Sequence, residues 1–153
     1  HPAVRFRLIG PQGVSNSSAI PSDEVARWRE AGVVEYLGEQ DDVRPWLAKS
    51  HVLVLPSYRE GMPRTVLEAA SMGRPAIVTD VPGCRQAVVD GETGWLCQVR
   101  DAASLAACMT ACLDMSSDQL AEAGRAARRR IENEFDERIV IQAALDCLDC
   151  VVP

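Results

Sequence analysis

Short apolar runs alternate with helix-like segments along the chain, and this alternation limits the possible folds more than any other feature. Five of the runs predict β-strands, and the connections between strands and helices are short. This order is typical of α/β proteins that contain a parallel sheet. The predicted strands cover residues 4–10, 33–38, 51–57, 75–80 and 94–99.

Helical patterns fill the connections and continue after the last strand, so we expect a helical C-terminus. The run at 51–57 is apolar on both faces, which predicts a central strand. Ser22 or Asp23 is expected to cap the first helix, and Asp41 or Asp42 the second. The predicted helices cover residues 22–32, 41–50, 64–73, 101–114, 117–133 and 136–151.

The bulk composition excludes several classes of function. The 153 residues suffice for one domain with a sizeable core, and the net charge is −6. A protein that binds nucleic acid usually has a basic face, so we expect no nucleic-acid partner. The six cysteines suggest reduced thiols in the cytoplasm. The pairs Cys108/Cys112 and Cys147/Cys150 could in principle form the two halves of a zinc site. Both pairs lie in predicted helices rich in Ala and Leu, where cysteine behaves as a small hydrophobic residue, so we expect no metal.

The loops that follow the strands are where a ligand site is expected, because ligands of parallel α/β sheets bind outside the carboxyl ends of the strands. The loop before the helix at 64–73 is the most informative of them. Pro63 suits the first position of a helix. The free N–H groups of Arg64, Thr65 and Val66 are then expected to point out of the helix start and to bind an anion such as phosphate.

Two glutamates flank this expected phosphate site. Glu60 precedes the turn, and Glu68 lies one turn into the helix. A carboxylate accepts hydrogen bonds from neighbouring hydroxyls, so it suits a vicinal diol. Two carboxylates beside a phosphate fit a nucleotide sugar, with one at the ribose and one at the hexose. The alternative is a charged first turn with a surface pair on the helix.

The segment EGMPRTVLEA at 60–69 resembles the E-x7-E motif of the retaining GT-B glycosyltransferases of family 4. The segments at 4–13, 34–57 and 73–96 resemble the motifs that surround it there, in the same order. The likeness covers about residues 3–115 and is greatest to the bacterial branch that builds lipid-linked glycans and surface polysaccharides. It implies a Rossmann-like parallel sheet flanked by helices, the C-terminal half of a GT-B fold.

The resemblance also implies the roles of individual residues. Glu60 matches the glutamate at the donor hexose, the residue to which we assign the catalytic position. Glu68 matches the glutamate that holds the ribose hydroxyls. The donor-binding residues that the resemblance implies are Gly61 and Met62 beside the sugar, Arg64, Thr65 and Val66 around the distal phosphate, Glu68 at the ribose, and Gln40 and Asp42 in the loop that frames the base.

In such a protein the acceptor hydroxyl attacks on the face that the diphosphate leaves, without a metal or a cofactor. The co-substrate is a nucleotide sugar, and the subfamily likeness favours a UDP-sugar. The expected partners are a glycan or an undecaprenyl-diphosphate-linked acceptor, and a missing N-terminal domain. The whole protein is expected to be cytoplasmic, with peripheral contact to the inner face of the plasma membrane as one option. The alternative function is a non-catalytic nucleotide-binding or interaction module.

Residues 1–153 are thus expected to form one nucleotide-sugar-binding domain that is a fragment, inactive by itself. In the family's strand order, 3-2-1-4-5-6, the run at 4–10 is the second strand and the run at 51–57 the fourth. The first strand would lie between them. Either upstream residues supply it, or these two strands pair directly, or another chain supplies it. The basic cluster RAARRR at 125–130 predicts a solvated helix face, or else contact with a partner domain or anionic lipid.

Overall fold

The computed structural model describes residues 4–14 and 19–149. The chain divides into two compact units, His1–Val43 and Arg44–Pro153. That the two together act as one nucleotide-sugar-binding domain stays a prediction. Each unit holds its own parallel sheet.

The first unit contains β1 (Arg7–Leu8), α1 (Ser22–Glu30) and β2 (Glu35–Tyr36). The two strands are parallel, and both are shorter than the sequence predicts. The predicted side-chain cap of α1 is wrong, because Pro21 occupies the N-cap position and supplies no side-chain hydrogen bond.

The second unit contains a three-stranded parallel sheet in the order β3-β4-β5, with helices around it. Among the described residues, β3 has one strand neighbour, β4, and its side chains are half-buried. The fully buried central strand is therefore β4, and the prediction that 51–57 is central is wrong here. The elements are α2 (Arg44–Ala48), β3 (Leu53–Leu55), α3 (Arg64–Ser71), β4 (Ala76–Thr79), α4 (Pro82–Ala87), β5 (Gly94–Cys97), α5 (Ala102–Asp114), α6 (Ser117–Glu134) and α7 (Glu137–Asp149).

The sheet pairing agrees with the family's strand order. The second and third strands of that order correspond to β1 and β2, which pair, and the fourth to sixth correspond to β3, β4 and β5. Within the described residues, β1 and β3 belong to separate sheets, so the option of direct pairing between 4–10 and 51–57 is wrong. The predicted α/β fold with parallel sheets and a helical C-terminus is confirmed.

Buried side chains pack on both faces of β4. One cluster joins Val78 to Val66 of α3 and Cys84 of α4. The other joins Ile77 to Cys97 and to Cys112 of α5. These three cysteines are free thiols and act as small core residues. Of the cysteines predicted to be small hydrophobes, Cys112 is buried, Cys108 is half-buried and Cys147 is exposed, so the prediction is wrong for Cys147. Cys150, the second member of one imagined zinc pair, lies outside the described residues.

Two details depart from the predicted helices. Helix α4 was not predicted, although Pro82 at its first position is a helix-start signal. Helix α2 begins at Arg44, two residues after Asp42.

The basic cluster of α6 is mostly a solvated face, with Arg125 paired to Glu122 and Arg128 paired to Glu132. Arg130 differs, because it is largely buried and donates to the Gln86 carbonyl oxygen at 2.8 Å.

Over the described ranges, none of the helices combines the length and apolar character that crossing a bilayer requires.

Candidate functional site

The candidate site is the loop that leaves the carboxyl end of β3 and enters α3. Burial of Val66, Ala69 and Ala70 on the inner face of α3 fixes this helix against the core. Pro63 occupies the N-cap position, and the helix begins at Arg64. The predicted start of this helix is therefore confirmed. Glu68 lies on a helix that the core holds in place, and Glu60 lies in the loop that precedes it.

The backbone amides at the start of α3 provide part of the expected anion site. Val66 N–H donates to the Pro63 carbonyl oxygen at 3.0 Å, so the prediction that this amide is free is wrong. The amides of Arg64 and Thr65 precede the first hydrogen bonds of the helix, and neither has a partner among the described residues. Two free amides at the positive end of a helix are suited to one phosphate oxygen each.

The carboxylates of Glu60 and Glu68 are both half-buried. Within the described part of the chain, neither carboxylate takes part in a hydrogen bond or an ion pair. The alternative, a surface ion pair on α3, is therefore wrong, because Arg64 and Glu68 form no ion pair. A half-buried carboxylate without a protein partner has free acceptor capacity, which hydroxyl groups of a ligand can use.

Glu60 lies close to the start of α4. The pKa of the Cys84 thiol is raised, mainly by burial and next by the negative charge of Glu60. Cys84 is fully buried, so the charge of Glu60 acts on a thiol in the core. The side-chain hydroxyl of Thr79, at the end of β4, donates to the Ser57 carbonyl oxygen. This hydrogen bond connects the start of the same loop to β4.

Gly61 and Met62 are exposed between the two glutamates. Gly61 is absent from the positive-φ residues, so its turn does not require glycine's backbone freedom. No heavy atom lies within 4 Å of the position that a Cβ would occupy at Gly61. This open space permits the close approach of a ligand, while contact with the donor sugar stays a prediction.

The two residues predicted to frame the base lie in the first unit. Gln40 is half-buried, and its side-chain amide donates to the Leu37 carbonyl oxygen at 2.7 Å. Asp42 is exposed. The Gln40 contact shapes the loop, because it folds the Gln40 side chain back onto the backbone of Leu37. Base recognition by either residue stays a prediction.

A contact that sequence reasoning missed joins Tyr58 to Arg100. The guanidinium carbon lies 5.1 Å from the centre of the Tyr58 ring, a distance typical of a cation–π pair. Arg100 follows β5 and has a φ of 59°, in the left-handed region. The two residues are far apart in sequence, and only the parallel pairing of the sheet brings them together, so no local pattern predicts the pair.

Comparison with known proteins identifies the family of the chain. A family model described as glycosyl transferases group 1 matches residues 1–115. N,N'-diacetylbacillosaminyl-diphospho-undecaprenol alpha-1,3-N-acetylgalactosaminyltransferase of Campylobacter jejuni is 32% identical over 149 residues, which is 97% of this chain and 38% of the relative. Glycogen synthase of Mycobacterium tuberculosis is 32% identical over 145 residues, which is 94% of this chain and 34% of the relative.

Solved structures resemble the chain over nearly its whole length. Anabaena Alr3699/HepE in complex with UDP superposes with a TM-score of 0.86 at 20% identity, covering 98% of this chain and 42% of that one. Sucrose-phosphate synthase from Thermosynechococcus elongatus gives a TM-score of 0.78 at 25% identity, covering 96% and 38%. The chain therefore spans less than half the length of the proteins that it matches.

The family-model match covers most of the chain, and it includes both glutamates and the start of α3. The predicted resemblance is thereby confirmed, and the chain belongs to the glycosyl transferases group 1 family.

Proposed function

We propose that the chain is the donor-binding part of a retaining glycosyltransferase. The whole protein would move a hexose from a nucleotide diphosphate sugar to a glycan or a lipid-linked acceptor. The observation that carries the proposal is the pair of half-buried carboxylates, Glu60 and Glu68, on either side of two free amides at the start of α3. Such an arrangement presents acceptors for two sugars and donors for the phosphate between them.

Each part of the donor then has its own partner on this chain. The amides of Arg64 and Thr65 bind the distal phosphate, and Gly61 and Met62 line the sugar. Glu68 accepts hydrogen bonds from the ribose hydroxyls, and Glu60 accepts them from the hexose. Gln40 and Asp42 frame the base.

Positioning and charge stabilisation make up the chemistry that these residues provide. The acceptor hydroxyl attacks the anomeric carbon from the face that the diphosphate leaves, and the departing phosphate oxygen takes the proton. Glu60 holds the hexose in the orientation for this attack and forms no covalent bond. The helix-start amides stabilise the negative charge that grows on the phosphate as the bond breaks.

A UDP-sugar is the donor that we favour. The Anabaena protein that resembles this chain was solved with UDP and with UDP-glucose. The Campylobacter relative bears a name that specifies a diphospho-undecaprenol acceptor. These are properties of those proteins, and they support a UDP-sugar donor and a lipid-linked or glycan acceptor here. A UDP-sugar donor and such an acceptor both fit the synthesis of a surface polysaccharide or glycoconjugate at the inner face of the plasma membrane.

A ligand panel tests the proposal. The chain is titrated with UDP, GDP, ADP and their glucose, galactose, N-acetylglucosamine and N-acetylgalactosamine conjugates, and binding is followed by saturation-transfer NMR and calorimetry. We expect the nucleoside diphosphate to bind and one sugar to increase its affinity. Failure of every nucleotide to bind would favour the alternative of a non-enzymatic interaction module, whereas binding without sugar transfer by the whole protein would favour a nucleotide-binding module.

A further inference from the structure

The first turn of α4 packs directly against the two peptide groups that follow Glu60 and Gly61. Gly83, the second residue of α4, is buried. A Cβ at Gly83 would overlap the Gly61 carbonyl oxygen, and it would lie 2.5 Å from the Gly61 carbonyl carbon and 2.6 Å from the Glu60 carbonyl oxygen. Gly83 has no positive φ, so the backbone conformation does not require glycine there. The lack of room for a side chain does.

A second contact holds the other end of the same loop. Thr79 is almost fully buried at the last position of β4, and its hydroxyl donates to the Ser57 carbonyl oxygen. The segment 57–61 is thus fixed at both ends by the segment 79–83. Glu60 lies between the two contacts, and its own carbonyl oxygen touches the Gly83 position. The backbone that carries the Glu60 carboxylate therefore has little freedom to move.

We propose that Gly83 is a positioning residue, which sets where the Glu60 carboxylate meets the transferred sugar. This inference rests on the proposed function, since it assumes that Glu60 contacts the donor hexose. A methyl group at residue 83 needs a separation of at least 3.0 Å from the Glu60 carbonyl oxygen in place of 2.6 Å. Shifts of about 0.5 Å are enough to disturb a site whose geometry must be accurate.

The effect should be specific to the sugar. Glu68 lies on α3, whose inner face is fixed by Val66, Ala69 and Ala70, so a shift of the Glu60 peptide leaves the ribose site in place. The measured quantity is the ratio of the dissociation constant of UDP to that of a UDP-sugar. General loss of stability changes both constants together and leaves this ratio unchanged.

The experiment compares Gly83→Ala with Gly124→Ala in the whole protein. Gly124 is a matched control, because a Cβ there would likewise overlap a backbone carbonyl oxygen, that of Gly73, where α6 packs against the residues after α3. Dissociation constants are measured for UDP and for the tightest binder among UDP-glucose, UDP-galactose and their N-acetyl forms. In Gly83→Ala we expect the ratio to fall by about fivefold or more, with UDP affinity within about threefold of wild type. In Gly124→Ala we expect no change of the ratio.

Thr79→Val provides a second variant if Gly83→Ala does not fold. It removes the hydroxyl that holds Ser57 and keeps a side chain of similar shape, and we expect the same selective fall of the ratio. An unchanged ratio in the variants that fold, or an equal fall in Gly124→Ala, would overturn the positioning role while leaving the proposed function in place. Absence of binding of every nucleoside diphosphate in the ligand panel by the wild-type protein would overturn the proposed function first, and if another nucleotide replaces UDP the ratio is measured with that nucleotide and its sugars. A wild-type protein that binds UDP but none of the UDP-sugars more tightly would overturn the inference alone.

Discussion

Replacement of Glu68 by alanine tests the assignment of the ribose site. Glu68 is half-buried, and its carboxylate has no hydrogen-bond or ion-pair partner among the described residues, so its removal breaks no polar interaction within the protein. Alanine is the residue most favourable to a helix, so α3 keeps its backbone. The change therefore acts on the ligand and leaves the free energy of unfolding nearly unaltered.

The expected size follows from the bonds that are lost. A hydrogen bond to a charged group contributes about 1.5–3 kcal/mol. If Glu68 binds the ribose diol, its loss weakens UDP by about 10- to 150-fold. The same loss applies to a UDP-sugar, because both ligands carry the ribose. Glu60→Ala, in contrast, should leave plain UDP nearly unaffected and reduce the additional affinity that the hexose provides.

Calorimetry with UDP and a UDP-sugar measures both effects in one series, and thermal unfolding confirms that each variant is folded. Glu92→Ala is the control, because Glu92 is an exposed glutamate outside the site. Its dissociation constants should match those of wild type. Equal loss of UDP affinity in the Glu60 and Glu68 variants would refute the division of roles, and an unchanged affinity in Glu68→Ala would refute the ribose assignment.

Three further measurements test the donor, a helix cap and a buried thiol. UDP should bind more tightly than GDP, and calorimetry that shows GDP about tenfold tighter or more would contradict the preference. Ser116→Ala should lower the free energy of unfolding by about 1 kcal/mol, because Ser116 and Gln119 form a reciprocal capping box at the start of α6; urea denaturation measures this. Burial raises the pKa of the Cys112 thiol to about 11, so the stability that the neutral thiol provides is complete below its ordinary pKa of 9.0 and is lost as the pH rises through about 11. Cys112→Ala should reduce this alkaline loss, and unfolding curves between these two pH values check it.

The sequence predicts the fold because local signals and global architecture agree. Pro63 predicts the start of α3 near residue 64, and the structure confirms it. The apolar run at 75–80 predicts a strand, and the structure places β4 within it; that β4 and not β3 is the fully buried strand was not predicted. Boundaries were less well predicted, because the pairing of neighbouring strands, and not residue preference, decides where a strand ends.

Features of the site that depend on contacts between distant segments could not be predicted. Nothing around Gly83 in the sequence indicates that its missing side chain makes room for the Glu60 and Gly61 carbonyls. The pairing of Arg100 with Tyr58 has no local signal either. Even the amide of Val66 was misjudged, since the bond from Val66 N–H to the Pro63 carbonyl depends on the exact backbone path into the helix.

The two glutamates differ in how the fold supports them, and under the proposed function this difference corresponds to the two parts of the donor. Glu68 lies inside a helix that the core fixes, which suits the nucleotide, the part of the donor that changes least during transfer. Glu60 lies in a loop whose position depends on Gly83 and Thr79 of another segment. The hexose is the part that must move from one partner to another, and its geometry at the moment of attack decides the rate. A carboxylate on a separately supported loop allows sugar preference to change, through the residues beneath the loop, without loss of the nucleotide site.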